Sequence, residues 1–235
     1  MDRLNLLQKL TENSIFNRLF EGLVMLGVSG PFMLLYAGIV PLLWSGNYNF
    51  VQDSISSLTW TGMGWVQNFG FIITGFCMEV FAAVLTLSMP RARGFSLGVV
   101  FLALSGFFLI LVGAFPADIP YLPRTSIGMV HKAAADTLFV LLPLGILLLA
   151  PSLKKDPQRR LLFKYSIASA VIALFWIGIY PLCLPKELGW FGLYERILAL
   201  IEISWVEVMA ISLLTLSRRL HFNTPLVSNI TVASE

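Results

Sequence analysis

Three short stretches of the chain carry the side chains that could do chemistry. The first contains Asp53 and Ser56, the second contains Asp118 and His131, and the third contains Glu195. A histidine near carboxylates can be a general base, a metal ligand or a hydrogen-bonded spacer. We also expect a short helix along the membrane surface in the first stretch, where the side chain of Asp53 or Ser54 would cap free backbone N–H groups. Catalysis, ligand binding and capping therefore all remain open for these stretches.

Two arginines add positive charge to the second and third stretches. Arg124 lies between Asp118 and His131, and Arg196 directly follows Glu195. Because a guanidinium binds phosphate through parallel hydrogen bonds, both arginines are candidates for holding an anionic headgroup. The candidate ligand-binding residues are Ser56, Asp118, Arg124, His131 and Arg196. The candidate catalytic arrangement is His131 as general base, oriented by Asp118 or Glu195.

Acidic residues also occur inside long apolar stretches. Asp136 follows Lys132 by four residues, so the two side chains share a helical face and can pair. Glu202 follows Glu195 by two helical turns. At about 1.5 Å rise per residue, Asp136 and Glu202 lie at similar depths, and one pocket could hold both. Carboxylates in hydrocarbon are costly, so partners or a wet cavity are expected.

Two further acids, Glu79 and Glu207, fall near the middle of their apolar stretches. No Lys, Arg or His shares their predicted depth. One interpretation is a pair of neutral acids that join helices through hydrogen bonds. The alternative is a proton path across the bundle that also uses Glu202.

The elements that must position these residues are membrane helices. A span needs about 20 apolar residues, and the chain is 57% hydrophobic and only 12% charged, far below the charge of a soluble domain. The predicted spans are about 20–43, 66–88, 95–115, 128–150, 162–183 and 194–217. We therefore predict an all-α integral membrane bundle of six transmembrane helices over 20–217. A cytoplasmic amphipathic arm over 1–19 and a flexible cytoplasmic tail over 218–235 flank it.

The basic residues predict the orientation of this bundle. All but four of the 16 Lys and Arg residues lie on the side of the two termini, so the positive-inside bias places both termini in the cytoplasm. The three polar stretches then face the other side. Basic charge spread along the inner edge suits anionic lipids rather than nucleic acid. Membrane lipids are the predicted partners, and neither a cofactor nor a metal ion is predicted.

Small residues at helical spacing predict where the helices approach each other closely, with Gly75 and Gly106 among them. This feature concerns packing and carries no functional prediction.

The polar stretches also resemble motifs of a known family. They are Ile55-Ser56-Ser57-Leu58 within Phe50–Asn68, the turn Gly113–Asp118 followed by His131, and Gly192–Ile197. In this order the chain resembles, over about 20–217, the six-span prokaryotic membrane family catalogued as domain of unknown function 998. The resemblance implies a six-helix bundle in a prokaryotic plasma membrane and no established activity. It also implies an extracytoplasmic polar cluster at Ser56, Asp118, His131, Glu195 and Arg196.

One stretch departs from the family pattern. Ser57 and Thr59 occupy positions that are often acidic and glycine in the family. An acid role at this point therefore falls to Asp53 or Asp118.

The sequence favours a membrane protein whose extracytoplasmic pocket binds a lipid headgroup, a small solute or a membrane partner. One alternative is an intramembrane enzyme that acts on a lipid or lipid-linked substrate with His131 as general base. The second is a small proton-coupled carrier that uses Glu79 and Glu207, although no internal repeat of the kind many carriers show is detectable.

Overall fold

The computed structural model describes residues 14–46, 48–119, 122–154, 159–183 and 189–222. Within these ranges the long elements are all helices, and no strand occurs. They are α1 Ser14–Ile39, α2 Gly64–Ser88, α3 Phe95–Ala114, α4 Ser126–Lys154, α5 Arg160–Cys183 and α6 Phe191–Phe222. Length and composition make six helices capable of crossing a membrane. The predicted all-α, six-span architecture is confirmed.

The helix limits differ from the predicted spans mainly at α1 and α6. The first helix begins at Ser14, inside the predicted arm, rather than at 20. The last helix continues to Phe222, beyond the predicted end at 217, and the next helix-breaking residue in the sequence is Pro225. The predicted arm and tail lie mostly outside the described residues, because 1–13 and 223–235 are not described. The side of the membrane on which the termini lie stays a prediction.

The six helices form a closed ring. Each helix packs against the next one in the chain, and α6 returns to pack against α1. Successive helices run in opposite directions, so the first connection, the end of α3, the start of α4 and the start of α6 lie at one end of the ring. We call it the outer end, because the basic residues predict that it is extracytoplasmic. All three polar stretches lie there.

Two buried aromatic side chains pack against each other in the interior of the ring. Trp205 of α6 is fully buried and meets the ring of Phe81 edge-on, with 6.4 Å between the ring centroids. Its indole N–H donates to the Ser166 hydroxyl of α5 at 2.7 Å. Packing and a satisfied indole together join α2, α5 and α6.

Close helix contacts depend on glycine, as the sequence predicts. A Cβ atom added to Gly75 of α2 would lie 2.6 Å from the Gly106 carbonyl oxygen of α3. A Cβ atom on Gly98 of α3 would lie 3.1 Å from the Gly145 carbonyl oxygen of α4. A side chain at Gly75 would therefore collide with the opposing backbone, and one at Gly98 would be in tight contact with it.

Replacing Gly75 with Ala tests this packing. Because the opposing atom is backbone, we expect Gly75→Ala to lower the free energy of unfolding by about 1–3 kcal/mol. Gly22→Ala is the control, since a Cβ atom there meets nothing within 4 Å and alanine favours a helix by up to about 1 kcal/mol. Thermal unfolding of the purified proteins measures both. Equal effects of the two substitutions would contradict the packing argument.

Candidate functional site

The start of α6 holds the first connection in place. The N–H groups at the start of a helix have no partner within the helix. Here the Gly192 N–H donates to the Gln52 carbonyl at 3.2 Å, and the Leu193 N–H donates to the Val51 carbonyl at 3.0 Å. Any side chain on Gly192 would overlap the Asp53 carbonyl. Glycine at this position therefore allows the connection to lie directly on the helix.

The Arg196 guanidinium strengthens the same contact. Its Nη1 donates to the carbonyl oxygens of Phe50 at 2.9 Å, Asp53 at 2.8 Å and Gly192 at 2.8 Å, and its Nη2 donates to the Tyr48 hydroxyl. The guanidinium carbon lies 4.2 Å from the centroid of the Phe50 ring, a cation–π contact. Arg196 is only 9% exposed, so these groups replace its hydration. It binds the loop backbone rather than a carboxylate across the bundle.

The Tyr48 phenol completes this network. It accepts from Arg196 and donates to the Ser54 carbonyl at 2.8 Å. Burial raises the pKa of Tyr48 above its ordinary value of 10.0, although the positive charge of Arg196 acts in the opposite direction. The phenol therefore stays protonated at neutral pH and keeps the proton that it donates.

Glu195 and Ser54 cap a short helix in the first connection. This 3₁₀ helix spans Ile55–Trp60. The Ser54 hydroxyl accepts from the Ser57 N–H at 3.1 Å, and Glu195 Oε2 accepts from the Ile55 N–H at 2.5 Å. The predicted short helix is confirmed, in 3₁₀ form, and of the two predicted N-cap residues, Asp53 and Ser54, the cap is Ser54. Glu195 supplies a second cap from α6.

Asp118 has a local role at the start of α4. Its Oδ1 accepts from the Thr125 hydroxyl at 2.6 Å and its Oδ2 from the Thr125 N–H at 3.1 Å. The Thr125 hydroxyl in turn accepts from the Gly128 N–H at 3.0 Å. A side chain on Gly128 would overlap the Asp118 carboxyl group. Asp118 thus closes the turn that leads into α4, and its negative charge suits a helix N-terminus.

His131 satisfies the end of α3. Its Nδ1 lies 3.0 Å from the Val112 carbonyl oxygen and 2.7 Å from that of Phe115, and because carbonyls only accept, Nδ1 carries the proton. In a continuing helix Val112 would accept from residue 116, but Pro116 has no N–H. The histidine supplies the missing donor. This geometry favours the hydrogen-bonded spacer among the three roles that a histidine can have.

The structure separates the candidate residues into two groups. An open groove at the outer end of α4 is lined by Asp118, Arg124, His131, Lys132 and Asp136. A separate cavity inside the ring is lined by Ser56, Glu195, Arg196 and Glu202 together with apolar side chains. The Trp60 indole N–H, which donates to the Ala117 carbonyl at 2.9 Å, joins the connections that carry the two groups.

Asp136 and Glu202 therefore do not share a pocket, although their predicted depths are similar. The Asp136 side chain is exposed and accepts from Lys132 at 2.5 Å, which confirms the predicted pair. Depth along a helix does not fix the direction of a side chain. Asp136 lines the groove, whereas Glu202 points to the interior of the ring.

The cavity inside the ring has a volume of about 250 Å³ and apolar walls. Five of the six helices line it, α5 being the exception, and the first connection covers its outer end. Leu35 and Ile39 of α1 and Leu200 of α6 line the cavity and are also 46–57% exposed. The cavity thus opens sideways, between α1 and α6, at the level of the bilayer.

Glu202 places a polar group in the inner part of the cavity wall. Its side chain is 2% exposed, and its Oε1 has no hydrogen-bond partner among the described residues. Seven residues separate it from Glu195, which places it about 10 Å below the covered end of the cavity.

The other two membrane acids, Glu79 and Glu207, do not line the cavity. Glu79 faces α3, where a Cβ atom on Gly106 would lie 3.2 Å from its Oε1. Both carboxyl oxygens of Glu207 are buried without a partner in the described part of the chain. A proton path through these acids stays a prediction.

Several residues that build the site were not candidates from the sequence. Tyr48 and Thr125 act through their hydroxyl groups and Phe50 through its carbonyl and its ring face, and no spacing rule marks such contacts. The need for a donor at the end of α3 could have been recognised from Pro116, because a proline just after a helix leaves one helix carbonyl without its N–H donor.

Replacing Arg196 with Lys tests whether the guanidinium holds the first connection on α6. A lysine ammonium cannot reach all the carbonyls or stack on Phe50, so we expect a loss of about 1–3 kcal/mol in the free energy of unfolding. Protease cleavage between 45 and 60 should also become faster. Arg124→Lys is the matched control, because Arg124 is exposed. If both variants unfold at the same temperature, the contacts of the Arg196 guanidinium contribute nothing to the free energy of unfolding.

Two substitutions of His131 test whether its role is to donate a hydrogen bond to the carbonyls at the end of α3. An Asn amide can place a donor near the position of Nδ1, whereas Leu cannot. We expect His131→Leu to destabilise the protein by about 1–3 kcal/mol, through the unpaired carbonyls of Val112 and Phe115, and His131→Asn to cost less. Thermal unfolding ranks the two variants. Equal losses would argue against the capping role.

Comparison with known proteins assigns the chain to a family. The family described as "Protein of unknown function (DUF998)" matches residues 28–212, a range that contains all three polar stretches and most of the six spans. No curated protein and no solved structure matches the chain. The chain is a multi-pass membrane protein that belongs to the DUF998 family.

Proposed function

We propose that this protein binds an amphipathic, lipid-like molecule in the cavity inside the ring of helices. The observation that carries the proposal is the apolar cavity of about 250 Å³, whose lining includes exposed side chains of α1 and α6. A molecule in the surrounding lipid leaflet could enter the cavity without passing between the connections at the outer end. Concave, mostly apolar spaces with a few polar groups are the usual form of ligand sites.

The size of the cavity supports a chain-like ligand that enters with one end. A cavity of roughly 150 Å³ is enough to hold benzene. About 250 Å³ therefore accommodates part of an acyl or prenyl chain, but not a whole lipid. The remainder of the ligand would lie in the opening, against Leu35, Ile39 and Leu200.

The first connection gives the cavity a preformed cover. Hydrogen bonds from Arg196 and to Glu195 hold this connection on α6, so no ligand is needed to order it. The Nη donors of Arg196 are directed at backbone carbonyls and at Tyr48. Arg196 therefore positions the cover rather than holding a phosphate, which differs from the headgroup role that the sequence suggested.

The enzyme and carrier alternatives stay predictions. His131 and Glu195 line different spaces, and neither Glu79 nor Glu207 reaches the cavity. No contact in the described residues favours either alternative over binding.

Photolabelling tests the proposed function. The protein is placed in phosphatidylcholine nanodiscs with a diazirine-bearing hydrocarbon and irradiated, and the labelled residues are identified by mass spectrometry. We expect label on Phe71 and Leu138, which are buried within the ring and line the cavity. Label confined to bilayer-facing residues such as Val100 would overturn the proposal.

A matched pair of variants controls this experiment. Ala199→Trp places an indole in the cavity and should remove label from Phe71 and Leu138. Ala83→Trp places the same side chain on an exposed face of α2 and should leave the label unchanged. Persistent interior label in Ala199→Trp would mean that the reagent reaches these residues by another route.

A further inference from the structure

We infer that the ligand of this cavity carries a hydrogen-bond donor, a hydroxyl or an amine, that Glu202 accepts. The inference rests on the proposed function and adds the chemical class of the ligand. Two observations point to it: Glu202 lines the cavity, and its buried Oε1 is without a partner among the described residues.

Most other polar groups around the cavity are already engaged. Glu195 accepts from the backbone of Ile55, and the guanidinium of Arg196 donates to loop carbonyls and a phenol. Ser56 makes no hydrogen bond with the described residues, but it lies in the cover. Glu202 is therefore the carboxyl group that remains available to a molecule inside the ring.

The position of Glu202 sets the orientation of the ligand. It lies two helical turns below Glu195, deep in the apolar part of the cavity, while the opening between α1 and α6 is lined by aliphatic side chains. The ligand therefore inserts its donor group first, and its apolar chain emerges into the bilayer. An unpartnered buried polar group is costly, and a donor from the ligand removes that cost.

Charge discriminates between headgroups. An anionic group beside Glu202 would lie against a carboxyl group and apolar walls. Arg196 is the cation at the cavity wall among the described residues, and its Nη groups are turned to the loop backbone. Phosphate-bearing chains should thus bind more weakly than alcohols or amines of the same length.

Competition against the diazirine hydrocarbon tests this inference. 1-Dodecanol, dodecylamine and dodecyl phosphate are each added to the nanodiscs, and potency is expressed as mole fraction in the bilayer. In the wild type we expect the alcohol and the amine to displace interior label at least about tenfold more effectively than the phosphate. A phosphate that competes as well as the alcohol overturns the inference.

Three variants assign the preference to Glu202. Glu202→Leu should reduce the advantage of the alcohol and the amine to near unity, while the hydrocarbon still labels Leu138. Glu202→Gln keeps an acceptor and should retain the preference for the alcohol within a few-fold. Glu207→Leu, the same change on α6 away from the cavity, should behave as wild type.

The outcomes separate this inference from the proposed function. Absence of interior label in the wild type means that the cavity takes no chain, and both fail. Interior label with an unchanged headgroup preference in Glu202→Leu leaves the binding function standing and rejects the role of Glu202. Thermal unfolding serves as the folding check, since removing an unpartnered buried carboxyl should not destabilise the protein.

Discussion

Arg196 and the backbone of the first connection form the contact on which the outer half of the molecule depends. A connection that lies against a membrane helix brings carbonyl groups away from water, and each needs a donor. One planar guanidinium supplies donors to the carbonyls of Phe50, Asp53 and Gly192, while its face packs on an aromatic ring. Arginine suits this position because its donors are fixed in one plane.

The same requirement explains the second polar stretch. Pro116 ends α3 and removes the donor that Val112 would otherwise have. His131 donates from α4 instead, and Asp118 satisfies the first turn of α4 through Thr125. Side chains that resemble a catalytic set in the sequence thus complete the hydrogen bonds of helix ends. The family motifs lie where the chain turns, because that is where backbone groups lack partners.

Glu202 does not follow this pattern. Glu195 and Arg196 at the covered end of the cavity are paired, yet the buried Oε1 of Glu202 has no partner in the described part of the protein. It also lies in a cavity rather than in a packed helix contact. Stability alone does not account for a carboxyl group placed in this way. A ligand that brings its own donor would account both for the residue and for the space beside it.

The sequence by itself determined the features that depend on length and on near neighbours. Apolar runs of spanning length gave six helices, a spacing of four residues gave the Lys132–Asp136 pair, and the residue types narrowed the N-cap of the short helix to Asp53 or Ser54. These features follow from the geometry of residues that are close in the sequence and from the thickness of the hydrocarbon core of a bilayer. Only the tertiary structure decided that Arg196 reaches Phe50, 146 residues away. It also decided that His131 and Glu195 line different spaces, because the closed ring sets which face of each helix points inward.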